Sequence, residues 1–213
     1  VTPFVTIFVG VLLSMWWAPP IGTVASAVGN LIMWATVLKP FLMGIIVSVI
    51  VGVALTLPIS SAAICAALGL TGLAGGAAVA GCCAQMVGFA FMSFRENRWG
   101  GLISQGIGTS MLQMGNIIRR PIIWIPPILT SVICGPLSTV VFKLECTGVS
   151  AGMGTCGLVG PLGIITATAD KGAMFWIGLV LICVVLPAAL TLLFSEIMRR
   201  LGWIREGDLK LDL

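Results

Sequence analysis

Four uncharged hydrogen-bonding side chains, Gln105, Thr109, Gln113 and Asn116, recur at i, i+4, i+8 and i+11 within LISQGIGTSMLQMGNII, residues 102–118. On a helix this spacing gathers them on one face. Amides and hydroxyls donate and accept, so the face matches the hydroxyls of a sugar or polyol. The pattern also fits an amphipathic helix lying in a membrane interface. Such a helix usually carries Lys or Arg on its polar side, and this one has none before Arg119. We read it as lining a hydrophilic cavity. A second polar break, Leu57-Pro58-Ile59-Ser60-Ser61, interrupts the run from Phe41 to Phe94, which has no charged residue before Arg95. Pro58 removes a backbone donor and crowds the preceding turn. Ser60 and Ser61 are the nearest hydroxyls to satisfy the freed carbonyl. Broken helices at membrane depth are tolerated where they are buried in protein or line a wet cavity. The break is therefore expected to help build a substrate cavity, the alternative being a kinked helix beside a tight turn.

Other chemistries find no support. There is no His, and the seven Cys show no C-x-x-C spacing, so a zinc or haem site is not indicated and no cofactor is expected. No GxxxxGK[ST] loop occurs among the Gly-rich stretches, and no nucleophile stands beside a base. Catalysis within the chain is disfavoured, and passage or sensing of a small neutral solute suits the inventory better. Cys146 and Cys156 bracket a polar loop and could pair on an oxidising side. The +4 formal charge sits in short loops and at the C-terminus, as topology determinants do, and gives no nucleic-acid signal.

The elements that must carry these groups are membrane helices. Mean hydropathy is +1.16, and only 8% of residues are charged where soluble domains run near about 25%. We expect an all-α, polytopic integral membrane protein with broken helices and re-entrant hairpins, forming one domain over residues 1–213. The chain opens on Val1 and is apolar by Phe4, as a fragment or trimmed product would be. Residues 3–18, ending in Trp16-Trp17 before Pro19-Pro20, and 21–38, carrying Asn30, are expected as separate segments, with Asn30 turned toward protein. Gly44, Ser48 and Gly52 repeat every four residues as a close-packing face. Gln85, a lone amide in an apolar helix, is read as an interhelical hydrogen bond. Arg95-Glu96-Asn97-Arg98-Trp99-Gly100-Gly101 reads as a charged surface loop. Residues 122–142 form a crossing with proline breaks. The Gly- and Thr-rich stretch between Glu145 and Asp170 reads as a re-entrant hairpin with its tip near Gly152–Gly157. Residues 173–198 are the clearest crossing, kinked at Pro187.

The stretches KPFLMGIIVSVIVGVALTLPISSAAI, GCCAQMVGFAFMSFRENRWGGLISQGIGTSMLQM, RRPIIWIPPIL and GMGTCGLVGPLG, within Lys39–Pro161, resemble a bacterial membrane family. It is classed with the sugar phosphotransferase system IIC components and includes the perfringolysin regulator PfoR. The resemblance implies a permease domain in the bacterial plasma membrane, homodimeric, binding its sugar at re-entrant hairpins while a separate IIB protein phosphorylates it. Better-known relatives use a His and a Glu near the sugar. With no His here, Glu96 and Glu145 are the acids between Lys39 and Asp170 that could supply the carboxylate. The solute-binding candidates are thus Ser60, Ser61, Glu96, Asn97, Gln105, Thr109, Gln113, Asn116 and Glu145. A membrane sensor without coupled transport is the alternative that the regulator's place in the family implies.

Overall fold

A computed structural model describes residues 2–36, 38–169 and 171–211, with backbone alone at 2–6, 14, 16, 18–21, 24–26, 28–29 and 33. Every regular element among them is helical. They are α1 (Thr2–Thr36), α2 (Pro40–Thr56), α3 (Ser61–Ala67), α4 (Gly72–Met92), α5 (Phe94–Ile103), α6 (Met114–Arg119), α7 (Ile125–Pro136), α8 (Gly148–Ala151), α9 (Val159–Ala167), α10 (Ala173–Val180) and α11 (Leu186–Arg200). Short 3-10 and π turns join several of them. Three continuous stretches among the described residues, Gly72–Met92, Pro121–Val141 and Ala173–Arg200, are long and apolar enough to cross a bilayer.

The axis of the molecule is α4. It is apolar all round, the mark of a helix with neighbours on every side, and eighteen of its residues are buried. Its small residues permit this. A Cβ added to Gly81 would overlap the Ser48 carbonyl of α2, and one on Gly76 would overlap the Leu144 carbonyl. A Cβ on Gly88 would come 2.7 Å from Thr191 Oγ1 of α11. The Gly44/Ser48/Gly52 face of α2 works in the same way. Gly44 and Gly135 of α7 approach backbone to backbone, Gly52 lies against Gly81, and Ser48 Oγ donates to Ser131 O at 2.8 Å.

These contacts give the direction of each helix. Moving along α2 from Ser48 to Thr56 moves along α4 from Gly81 to Gln85, so the two run parallel. Yet they are consecutive long helices, and the chain must return between them. It does so through the Pro58 break and α3, regaining the level of the α4 start at Leu70. Residues 145–168 make a second excursion. Cys146 N donates to Gly72 O at 3.1 Å, and Gly154 lies against Cys82 and Cys83 midway along α4. The chain then reverses at Cys156–Leu158, and α9 brings Thr168 Oγ1 back to 3.0 Å from Glu145 N. The second excursion starts and finishes at the Gly72 end of α4, and the first, leaving α2 at the level of Gln85, finishes at that same end.

Several expectations need correction. Residues 3–18 and 21–38 are one helix, α1, which carries through Pro19-Pro20; lost donors do not oblige a long membrane helix to end. Asn30 is exposed on this single chain, and the Trp16 side chain and Asp170 lie outside the described residues. The 95–101 stretch is helical, kinked at Arg98, whose φ of 51° and ψ of −146° break the turn. Pro126 and Pro127 do not break the 122–142 crossing, because they occupy the first turn of α7, where the missing N–H groups have no intrahelical partner anyway. The second crossing irregularity is a π turn, Leu137–Val141. Pro187 likewise opens α11, after the π turn Leu181–Val185. All seven cysteines are free thiols, Cys146 and Cys156 included.

Candidate functional site

The two excursions meet at depth. Ser61, buried at the first turn of α3, donates Oγ–H to Gly152 O at 2.7 Å. The approach is close enough that a Cβ on Gly152 would sit 2.6 Å from Ser61 backbone atoms. Ser60 caps α3, accepting from Ala63 N at 3.2 Å, and is exposed. Where α2 stops at Thr56, a buried cluster of uncharged polar groups has formed. Thr56 Oγ1 lies 2.9 Å from Ser110 Oγ and 3.4 Å from Gln85 Oε1, and Trp124 Nε1 donates to that same Gln85 oxygen at 2.9 Å. An indole N–H can only donate, so it identifies the oxygen of the Gln85 amide. The other end, Nε2, is fully buried and has no hydrogen-bond partner among the described residues. Gln85 is thus the interhelical bond expected of it and also an unused donor in the middle of the protein.

Residues 102–118 do not form one helix. After α5 the chain makes a π turn over Ser104–Gly108, becomes extended at Thr109 (φ −159°), and re-enters through a 3-10 turn at Ser110–Gln113 before α6. Thr109 leaves the row, its Oγ1 accepting from Met111 N at 3.2 Å. The three amides still converge, and Asn97 joins them. Gln105 Nε2 donates to Ser93 Oγ at 2.8 Å, Gln113 Nε2 to Gln105 Oε1 at 3.0 Å, and Asn116 Nδ2 to Gln113 Oε1 at 2.8 Å. This row holds the backbone of the C-terminal segment. Asn97 Nδ2 and Gln113 Nε2 donate to Leu209 O at 2.7 and 3.1 Å, Asn116 Nδ2 donates to Lys210 O at 2.8 Å, and Leu211 N donates to Asn97 Oδ1 at 2.8 Å. The single turn Ser110–Gln113 therefore presents Ser110 to the central cluster and Gln113 to the amide row.

The two acidic candidates are far apart in the fold. Glu96 pairs with Arg199 at 2.8 Å, the side chains 8% and 10% exposed, and Arg199 also donates to Met92 O at the end of α4. Glu96 Oε2 is buried without a hydrogen-bond partner among the described residues. Glu145 lies at the opposite end of α4, beside Thr168. A cavity of about 390 Å³ next to Arg199 is walled mainly by Phe91, Phe94, Trp99 and Leu192, which suits acyl chains better than a hydroxylated solute.

Sequence pattern alone passes over Thr56, Ser110 and Leu209–Leu211. Thr56 could be found as the last residue ahead of the Leu57-Pro58 stop. Ser110 stays hidden because the four-residue count assumes a helix through Thr109. No local signal marks residues 209–211, since their partners lie about a hundred positions away.

Residues 1–211 match the family described as Phosphotransferase system, EIIC. The chain belongs to that family. No curated relative and no solved structure is matched. Membership makes the protein an EIIC membrane component of a phosphotransferase permease, in keeping with its apolar helices, and makes it a transporter part and not a catalyst.

Proposed function

We propose that this EIIC protein binds a small neutral sugar or polyol at the buried cluster of Gln85, Thr56 and Ser110 and moves it across a bacterial cell membrane that its helices cross several times. The observation that carries this reading is the unpartnered Gln85 Nε2. A buried amide donor without an acceptor costs about 1–3 kcal/mol, and a solute hydroxyl arriving there would remove that cost. Its surroundings contain hydroxyls, an amide and an indole N–H but no charge, which favours a neutral guest. The excursions through α3 and through α8–α9 would be re-entrant hairpins, with Ser60 and Ser61 on the first. Asn97, Gln105, Thr109, Gln113 and Asn116 would flank the route, and Glu96 or Glu145 would supply any carboxylate it needs.

Eight of the eleven Lys and Arg, namely Arg95, Arg98, Arg119, Arg120, Arg199, Arg200, Arg205 and Lys210, lie on the elements at the α5–α11 end. By the positive-inside bias that end would face the cytoplasm, where a IIB phosphotransferase protein would meet it. The protein would work as a homodimer. The test is uptake of labelled neutral sugars and polyols into vesicles holding the purified protein, with and without a phosphorylated IIB partner. Saturable uptake of one of them supports the proposal. Solute binding with no uptake under either condition would favour a membrane sensor.

A further inference from the structure

Leu192, Ser195, Glu196 and Arg199 stand at i, i+3, i+4 and i+7 on α11, so they share one face. That face passes from aliphatic to charged as the helix runs toward the end where the basic residues gather. It forms one side of the cavity of about 390 Å³, and the end of α4 and the kinked α5 form the others. The kink makes the α5 side. At 3.6 residues per turn, residues 94 and 99 would point to different sides of an unbroken helix. The positive φ of Arg98 swings Trp99 back over Phe94, and the two rings meet edge to face at 5.4 Å and 88°. Trp99 is 68% exposed. An exposed indole beside arginines at the opening of an apolar cavity is the setting Trp takes at a membrane surface. The charges are unevenly matched. Arg95 and Arg200 both pair with Glu196, at 3.1 and 3.3 Å, while Arg199 is committed to buried Glu96. Two exposed guanidiniums thus share one carboxylate, and the rim keeps a net positive charge.

We propose that this cavity binds one anionic phospholipid, with an acyl chain packed among Phe91, Phe94, Trp99 and Leu192 and the headgroup phosphate on Arg95 and Arg200. The apolar wall selects a hydrocarbon chain, and the rim selects the sign of the headgroup. A guanidinium has five N–H donors in a fork that fits phosphate oxygens, and Arg95 and Arg200 each give one contact to Glu196. Their side chains are 67% and 79% exposed, so a headgroup reaches them from the membrane surface without opening the fold. A zwitterionic lipid brings no net charge to this rim and gains less there. One defined cavity with its own aromatic wall also distinguishes the site from the general attraction of a basic membrane face for anionic lipid. It shares no residue with the Gln85 cluster, so it stands or falls apart from the solute reading.

Native mass spectrometry of the whole protein, released from detergent after incubation with equimolar phosphatidylglycerol and phosphatidylcholine of identical acyl chains, tests the assignment. The first lipid bound should be phosphatidylglycerol, preferred about fivefold, as one net charge near a membrane surface gives. Arg95→Gln leaves Arg200 and Glu196 as a neutral pair and should abolish the preference. Leu192→Trp fills the cavity and should weaken binding of the first lipid several-fold for either headgroup. Arg205→Gln removes a charge from the same end of the molecule but outside the cavity, and should change neither result. Arg95, Leu192 and Arg205 are all exposed, and unchanged melting temperatures in lipid-free detergent certify the folds. No preference in the parent, equal losses in Arg95→Gln and Arg205→Gln, or lipid binding undiminished in Leu192→Trp overturns the proposal.

Discussion

Ser61 Oγ and Gly152 O are 2.7 Å apart, and this bond joins the two excursions of the backbone at depth beside α4. Ser61→Ala leaves a buried carbonyl without its donor and should cost about 1–2 kcal/mol. Gly152→Ala should cost more, about 2–3 kcal/mol, because its Cβ would press on backbone, which cannot rotate away. Thermal unfolding of the two variants in detergent checks the order. A Gly152→Ala variant as stable as the parent would mean that the excursions do not touch at Ser61 and Gly152.

The Glu96–Arg199 pair is nearly buried, and one carboxylate oxygen has no other partner among the described residues. Removing one member of such a pair strands the other charge. Arg199→Met should therefore destabilise by about 3 kcal/mol, and adding Glu96→Met should recover most of the loss. A double-mutant cycle by denaturant titration measures the coupling. Strictly additive losses would contradict it.

Arg98 occupies φ 51°, ψ −146°, a region natural to glycine alone. The kink it makes turns Asn97 toward residues 209–211, and Gly101 leaves room for the Asn97 side chain. Arg98→Gly should raise stability by about 1 kcal/mol, since it keeps the geometry and removes the strain. A fall in melting temperature would show that the Arg98 guanidinium and its stem add more than the backbone strain costs.

Much of this architecture was legible in order and much was not. Continuous uncharged runs announced α4 and the 173–198 crossing, and Pro58 announced the break that follows α2 but not the return of the chain that it begins. The small residues at 44, 48 and 52 marked the α2 packing face because backbone approach demands them at that spacing. The amides at 105, 113 and 116 were visible as polar positions, but what they touch was not. A helix-period count cannot foresee the extended residue at Thr109, and it carries no information about a segment far downstream. Charge gave a further false lead at residues 95–101. Consecutive charged and polar residues there read as a loop, yet α5 continues through them because Asn97 and Glu96 find partners on the C-terminal segment and α11.

The free thiols offer a check on the second excursion. Cys156 is partly exposed at its turn, whereas burial pushes the Cys146 thiol up to about 11. Burial therefore holds Cys146 as the thiol, the unreactive form. A small maleimide should modify Cys156 and leave Cys146 intact until the protein is unfolded, as peptide mapping would show. Equal modification of both in the folded protein would contradict this placement.

The central proposal is that Gln85 donates to a neutral hydroxylated guest. The most direct measurement is the melting temperature of the purified protein and of its Gln85→Met variant across a panel of neutral sugars, polyols and their phosphorylated or carboxylated analogues. At about a hundredfold excess over its dissociation constant a bound solute adds about 2.7 kcal/mol of stability. The account predicts a shift of several degrees from at least one neutral member, absent in Gln85→Met. Stabilisation by charged analogues alone, or an equal shift in both proteins, would contradict it.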